Sequence, residues 1–217
     1  YTHKTGRAWL GIYTLLALIP LGIASFGDPP SYRTFWIEFA VALGFIGLGM
    51  LGLQFLFSGR FVWIAPSFGM DNIIQYHREV GIIAFLFVLA HPVLLIFSRP
   101  EFLSYFDIGE NALRAIALSV VLVALLGIIT TSLWRKLFNL NYEVWRLLHG
   151  VLGAAIIFIG TVHSVQVSHY LDPLGKKMAL IGLMGFYLYL IIHSRLVRPA
   201  LNKKAAYTIL KVSPERG

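Results

Sequence analysis

The strongest constraint on the fold of this chain is the length of its apolar runs. A helix that crosses the hydrocarbon core of a bilayer needs about 20 mostly apolar residues, and charge-free runs near that length occur six times in the 217 residues. They are Ala8–Gly27, Phe39–Gly59, Val80–Ser98, Ala115–Trp134, Leu147–Leu171 and Met178–Ser194. Only 13% of the residues are charged, about half the share usual in soluble proteins. The sequence therefore predicts an all-α protein, a six-helix transmembrane bundle in a lipid bilayer.

The distribution of basic residues predicts the orientation of this bundle. Six spans place both termini on one side, and 13 of the 18 Lys and Arg residues fall on that side. Because basic residues accumulate in cytoplasmic loops, both termini are expected in the cytoplasm of a multi-pass cell-membrane protein. The net charge of +8 thus reflects topology, and no nucleic-acid partner is expected. The run FVWIAPSFGM at 61–70 is too short to span and is predicted to be an interfacial loop.

The absence of cysteine removes several kinds of redox site. The 217 residues contain no cysteine, so disulfides, iron–sulfur clusters, thiol chemistry and covalent c-type haem attachment are excluded. Any redox centre in this chain must use other ligands.

Four histidines in apolar surroundings supply the best candidates. They open and close the stretches HREVGIIAFLFVLAH, residues 77–91, and HGVLGAAIIFIGTVH, residues 149–163. Fourteen residues turn an α-helix by about 1400° and rise about 21 Å, so both histidines of a stretch share one helix face at opposite depths. The two helices run parallel in a six-span topology. His77 is therefore predicted to meet His149 near the cytoplasm, and His91 to meet His163 near the outside.

Two facing imidazoles at each of two levels are what bis-histidine b-type haems require. Zinc fits less well, since no Cys, Asp or Glu is placed to complete its ligand set. The alternative is a set of buried histidines bonded to backbone carbonyls, although polar groups in lipid are costly and usually functional. The remaining histidines, His3, His169 and His193, are expected at the membrane interface or in solvent.

Further residues near these levels are candidates for supporting roles. Arg78 and Arg146 each lie within one turn of an inner histidine and could pair with haem propionates. Pro92 removes one helix hydrogen bond beside His91 and could bend the helix. Three aromatic residues between the two levels are expected to pack in the core rather than to bridge electron flow. They are Phe85, Phe87 and Phe158.

The two histidine stretches and the six spans together resemble the ferric reductase-like transmembrane domain, which NADPH oxidases and ferric reductases share. The resemblance covers nearly the whole chain. It implies that His77, His91, His149 and His163 bind two stacked b-type haems. It also implies that electrons pass from cytosolic NADPH to FAD, then through the inner and outer haems to an external acceptor, either dioxygen, giving superoxide, or ferric iron.

The C-terminal stretch AAYTILKVSPERG changes from apolar helix to a short strand-like piece. It is similar to the start of the flavin-binding barrel in the family's dehydrogenase domain. We therefore expect a six-span haem-binding domain over residues 1–200, and over 201–217 the start of a missing cytosolic FAD and NADPH dehydrogenase domain. No nucleotide-binding motif is present in the chain itself, so FAD and NADPH are implied only by the resemblance.

Details of the resemblance leave the acceptor open. Both histidine spacings are fourteen, as in many ferric reductases. Oxygen-reducing members carry a further histidine at the position that is Leu95 here. Arg33 could match the arginine of their oxygen site and is the candidate catalytic residue. Glu38, about one turn further in, is otherwise expected to be a membrane-edge carboxylate paired with a basic residue.

Two competing interpretations remain at this stage. One is a dihaem cytochrome b of an electron-transport chain, linked to quinol or ascorbate. The other is a six-span transporter or channel without haem. An absorption spectrum without a Soret band would leave only the transporter or channel. Quinone-sensitive haem reduction would favour the quinol-linked cytochrome b over the ferric reductase-like domain.

Overall fold

The computed structural model describes residues 11–27, 31–58 and 70–202, and these are helical almost throughout. After helical residues 11–17, the α-helices are α1 Ile19–Ser25, α2 Phe35–Ser58, α3 Met70–Ser98, α4 Ile108–Leu133, α5 Tyr142–Val167, α6 Leu174–Ile192 and α7 Arg198–Asn202. A 3₁₀-helix, Pro100–Phe106, joins α3 to α4, and a π-helical turn, His193–Val197, joins α6 to α7. No strand occurs in these ranges. The all-α class is confirmed.

Five helices in the described ranges are long and apolar enough to cross a membrane. They correspond to the second through sixth predicted spans. The first predicted span, Ala8–Gly27, is described only from residue 11. Its helix is interrupted by a turn at Leu18. Pro20 explains the interruption, because it has no N–H to donate to the carbonyl of Leu16. The flanking bonds persist, from Leu18 N to Thr14 O and from Gly22 N to Leu18 O.

The observed helices extend beyond the charge-free runs because capping residues lie outside those runs. Asp107 accepts a hydrogen bond from Gly109 N at the start of α4, and Asn141 accepts one from Glu143 N at the start of α5. Side-chain caps of this kind satisfy the unpaired amides of a first turn. At its other end α5 is shorter than predicted. It stops at Val167 because Ser168 adopts a left-handed conformation, with φ of 66°.

Helix α2 occupies the centre of the bundle and contacts α1, α3, α5 and α6. Its close approach to α3 depends on small residues, which let backbones come together in membranes. A Cβ atom on Gly47 would lie 2.6 Å from Cγ2 of Val88 on α3. The core therefore forms around α2, and α3, α4 and α5 surround one side of it.

The two helices that carry the histidine pairs stand apart. Over their described lengths, no Cα atom of α3 lies within 8 Å of a Cα atom of α5. Helix α2 contacts both, and α4 contacts both from another side. A cleft is therefore left between α3 and α5, with α2 and α4 as its walls. The predicted interfacial loop at 61–70, up to residue 69, and the strand-like C-terminal piece after residue 202 lie outside the described residues.

Candidate haem-binding site

The structure brings the four histidines together in two pairs across this cleft. The ring centroids of His77 and His149 are 6.1 Å apart, and those of His91 and His163 are 6.5 Å apart. The pairs follow the same order along α3 and α5, so the two helices run parallel. Each helix places its histidines about 21 Å apart along its axis. These are the pairs that the spacing predicts. The pair of His91 and His163 is called the outer pair, and that of His77 and His149 the inner pair, after their predicted depths.

In the outer pair, His91 is held by contacts from α2. The Nδ1 atom of His91 is 2.8 Å from the carbonyl oxygen of Ala40. Since a carbonyl only accepts, Nδ1 carries the proton and Nε2 keeps the lone pair that a metal needs. Gly44, one turn further along α2, makes room for the ring, because a Cβ there would lie 2.9 Å from Nδ1.

The inner pair has a different and smaller set of contacts. The Nδ1 atom of His149 is 3.2 Å from the hydroxyl oxygen of Ser132 on α4. The ring of Trp145, one turn earlier on α5, lies 5.3 Å from the His149 ring. The Nδ1 atom of His77 is buried without a hydrogen-bond partner among the described residues. Burial of such an atom is costly and calls for an explanation.

A cavity opens around the outer pair. About 1310 Å³ of space there is not filled by protein atoms, and this volume includes space open to the surroundings. Both His91 and His163 line it, as do Pro92 and Leu95 of α3. The 3₁₀-helix covers one side with Phe102, Tyr105 and Phe106. The lining is mostly apolar, as a macrocycle with hydrophobic faces requires.

At the outer mouth of this cavity, Arg33 and Tyr170 lie side by side. The Arg33 guanidinium is 5.9 Å from the centre of the Tyr170 ring. The Tyr170 hydroxyl donates to Glu38 Oε2 at 2.8 Å, and the Arg33 backbone N–H donates to Glu38 Oε1 at 3.1 Å. Among the described residues, Glu38 has no basic side chain as an ion-pair partner, contrary to the expectation, because a tyrosine hydroxyl and a backbone amide are its partners. Burial, and then the hydrogen bond to Glu38, raise the pKa of Tyr170.

His169 belongs to the same outer mouth. Its ring packs edge-on against Tyr170, with centroids 4.7 Å apart, and it lines the cavity. Its Nε2 atom is buried and has no hydrogen-bond partner in the described ranges. Of the two expected positions for His169, solvent does not suit this buried nitrogen, and a position at the membrane interface stays a prediction.

The basic residues near the inner pair are arranged differently from the prediction. Arg146 forms an ion pair with Glu143 on the exposed surface of α5, and Arg78 is exposed. Arg195 instead lies near enough to act electrostatically on both His77 and His149. It belongs to the π-helical turn His193–Val197, and such turns are frequent at functional sites. Propionate binding by Arg78 and Arg146 stays a prediction.

The aromatic residues between the levels divide into two groups. Phe85 and Phe87 pack against buried residues of the core. Phe158 is 59% exposed, so it faces the surroundings of the bundle and does not pack in the core as expected. Pro92 lies within α3, which continues through it to Ser98.

Five further residues near the histidines were not found from the sequence. They are Ala40, Gly44, Tyr105, Ser132 and Arg195. The glycines of α2, in the stretch GFIGLGMLG, were the one available signal, since small residues at helical spacing mark close contacts in membranes. The other four depend on which helices become neighbours, which no spacing within one helix reveals.

These residues fit a b-type haem at each level. Metal–imidazole nitrogen bonds are about 2 Å long, so two imidazoles on opposite sides of one metal have centroids about 6 Å apart. Both observed separations are close to this value. Within the described part of the chain, no group of three or more His, Cys, Asp and Glu side chains could hold a metal ion. A porphyrin needs only two ligands from the protein, whereas a zinc site needs three or four.

Comparison with known proteins gives a family. Residues 43–160 match the family model described as ferric reductase like transmembrane component, and this region is more than half of the chain. The chain belongs to this family. The matched region of this ferric reductase-like protein contains His77, His91 and His149 and ends three residues before His163.

Two relatives of this ferric reductase-like protein cover most of its length. The protein-methionine-sulfoxide reductase heme-binding subunit MsrQ of Agrobacterium fabrum is 28% identical over 190 residues, which are 78% of this chain and 83% of MsrQ. An uncharacterized protein of Archaeoglobus fulgidus is 28% identical over 145 residues, 64% of this chain and 79% of that protein. No solved structure matches significantly.

Proposed function

We propose that this chain carries electrons across the membrane through two b-type haems, one held by His77 and His149 and the other by His91 and His163. The single observation that carries the proposal is the pair of facing imidazoles at two levels, 6.1 and 6.5 Å apart, on helices that do not otherwise approach each other. A haem bound at each level supplies a one-electron redox centre. The chain itself would orient the imidazoles and surround the outer pair with mostly apolar side chains.

The proposed donor is a flavin dehydrogenase on the cytoplasmic side, which transfers electrons from NADPH through FAD to the inner pair. The basic residues on the side of the termini support this orientation. Arg195 near the inner pair supports an electron entry point at that end. The dehydrogenase would follow the six-span domain of residues 1–200 or be a separate chain.

The proposed acceptor lies outside, beyond the outer pair, and is dioxygen or ferric iron. With both His91 and His163 as its ligands, a haem would offer dioxygen no position on the metal, so the acceptor would receive its electron without binding the iron. Positive charge near the acceptor stabilises superoxide, and Arg33 lines the outer cavity. Stopped-flow mixing of the reduced protein tests this: Arg33→Ala should slow reoxidation by oxygen several-fold and affect a ferric chelate much less. Equal slowing of both, or no change, would remove Arg33 from the acceptor site.

A second candidate acceptor comes from the similarity to MsrQ, which covers 78% of this chain. MsrQ is named as the heme-binding subunit of a protein-methionine-sulfoxide reductase. Electrons from the outer pair would then pass to a separate reductase subunit rather than to a small molecule. Rapid reoxidation by oxygen or a ferric chelate favours the first acceptors, whereas slow reoxidation by both favours a protein acceptor. Haem reduction that depends on quinol would favour the quinol-linked cytochrome instead.

The experiment that tests the proposal is an absorption spectrum combined with a pyridine haemochrome assay on the purified chain. A Soret band with two haems per chain is the expected result. One haem per chain would show that one histidine pair is structural. No Soret band after expression with sufficient haem would leave the transporter or channel interpretation.

A further inference from the structure

Arg114 holds the 3₁₀-helix over the outer cavity. It lies in the first turns of α4, and its guanidinium is 4.4 Å from the centre of the Tyr105 ring. Its terminal Nη2 donates to the carbonyl oxygen of Ser104 at 3.0 Å. A guanidinium over an aromatic face gains cation–π attraction. Two contacts thus tie α4 to the segment that covers the cavity.

One hydrogen-bond donor of Arg114 has no acceptor among the described residues. This donor is its Nε atom, which is buried. A guanidinium stays charged in proteins and presents its donors in a fixed fork. A buried donor on a charged group is expensive to leave unpaired. We therefore expect a hydrogen-bond acceptor next to Nε, and a carboxylate best matches the donor geometry of a guanidinium.

The position of Arg114 places this missing acceptor beside the outer histidine pair. Leu118, one turn later on α4, lines the cavity, as do Val121 and Leu122, so Arg114 continues the same face at its outer end. The Tyr105 ring that Arg114 covers lies 6.2 Å from the His163 ring. Arg114 also acts electrostatically on His163.

We propose that Arg114 binds a carboxylate at the outer level through Nε, and that this carboxylate is a propionate of the outer haem. The inference rests on the proposed function, because it needs a haem at His91 and His163. The positive charge partly neutralises the propionate and favours the reduced haem. Arg114 thus sets the potential of the outer haem and keeps Tyr105 over it.

The test compares the haem-loaded full chain with Arg114→Gln, Arg114→Lys and, as a matched control, Arg99→Gln. Arg99 is an exposed outer residue, so its variant removes the same charge at a similar depth without a buried contact. Redox titration should show a lower midpoint potential for the outer haem in Arg114→Gln, with the inner haem unchanged. Transfer of the outer haem to apomyoglobin should become about 10-fold faster, a typical effect of losing a supporting contact. Arg114→Lys keeps the charge without the fork, so a smaller shift is expected.

Several results would overturn the inference. Equal shifts in Arg114→Gln and Arg99→Gln would reveal a general surface-charge effect. An unchanged outer haem in Arg114→Gln would show that Arg114 binds no propionate. If Arg114→Gln loses both haems through misfolding, Arg114→Lys decides, and unaltered potential and haem transfer in that variant contradict the proposal.

The carboxylate could also come from an external anion, and added citrate distinguishes the two sources. A propionate predicts the same difference between the wild-type protein and Arg114→Gln with and without citrate. A difference that appears only with citrate would assign the site to an external carboxylate and overturn the propionate assignment. The proposed function is tested separately: a wild-type chain that binds no haem would refute it, independently of any result with the Arg114 variants.

Discussion

The outer and inner histidine pairs have similar ring separations, but their surroundings differ. At the outer level, α2 supplies both a carbonyl for His91 and the gap at Gly44 that admits its ring, and a large apolar cavity surrounds the pair. At the inner level, His149 contacts an exposed serine hydroxyl. His77 has no partner for Nδ1 among the described residues.

This difference shows that equal spacing does not produce equal sites. In the outer pair, the Ala40 carbonyl on α2 fixes the tautomer and the ring orientation of His91. The inner pair has weaker support from the described residues. It also has a buried indole N–H on Trp145 without an acceptor there. We therefore expect the outer site to be the more rigid one, and its haem to depend more strongly on the packing of α2.

The largest expected effect comes from removing single histidines. His91→Ala or His163→Ala should abolish the outer haem, and His77→Ala or His149→Ala the inner one, because one remaining imidazole cannot hold a six-coordinate haem. Haem content should fall from two to one per chain, and redox titration should identify which haem is lost. If His77→Ala and His163→Ala removed the same haem, the pairing would be wrong.

The next effect concerns Gly44, which belongs only to the outer site. Gly44→Leu should displace the His91 ring and cause loss of most of the outer haem, because even a Cβ would lie 2.9 Å from Nδ1. The inner haem should remain. Gly182→Leu on α6 is the control, since a Cβ there meets no atom within 4 Å. Loss of both haems in Gly44→Leu, with both retained in Gly182→Leu, would contradict the separation of the two sites.

A smaller effect is expected at the inner site from Ser132→Ala, which removes the hydroxyl next to His149 Nδ1. Loss of such a supporting contact typically lowers metal affinity about 10-fold or more. Because Ser132 is exposed to solvent, we expect its loss to lower the affinity by about 10-fold at most. The inner haem should dissociate up to about 10-fold faster, as followed by transfer to apomyoglobin. Ser164→Ala is the outer control, because that hydroxyl donates to Gly160 O of its own helix. If Ser164→Ala accelerated haem dissociation more than Ser132→Ala does, the Ser132 contact would not be a specific support of the inner site.

The smallest effect is expected at the outer mouth from Tyr170→Phe, which removes the hydrogen bond to Glu38. A single bond of this kind contributes about 1 kcal/mol, so thermal loss of the outer haem should begin slightly earlier. The raised pKa of Tyr170 means that its neutral form gives stability below the ordinary tyrosine pKa of about 10, lost only as pH rises through the higher folded value. The difference between wild type and variant should therefore be constant from about pH 6 to about pH 9. A difference that disappears within this range would show that another group controls the contact.

Much of the fold could be predicted because membrane helices are specified locally. Charge-free runs identified the five spans that the structure describes, although caps such as Asn141 shift their ends. The first predicted span, Ala8–Gly27, is not among these five, and in its described part Pro20 interrupts the helical hydrogen bonds. The side chains of Glu38 and His169 could not be assigned, because their surroundings come from the loop that brings Tyr170 next to Arg33.

The sequence by itself determined which histidines share a helix face and at what distance, because the helical period fixes both within one continuous segment. It also determined which histidine faces which, once the number of spans made α3 and α5 parallel. Only the tertiary structure decided what surrounds each pair: the carbonyl of Ala40, the gap at Gly44, and the buried fork of Arg114. These groups come from other helices, and which helices become neighbours depends on how small and large side chains fit together across the bundle.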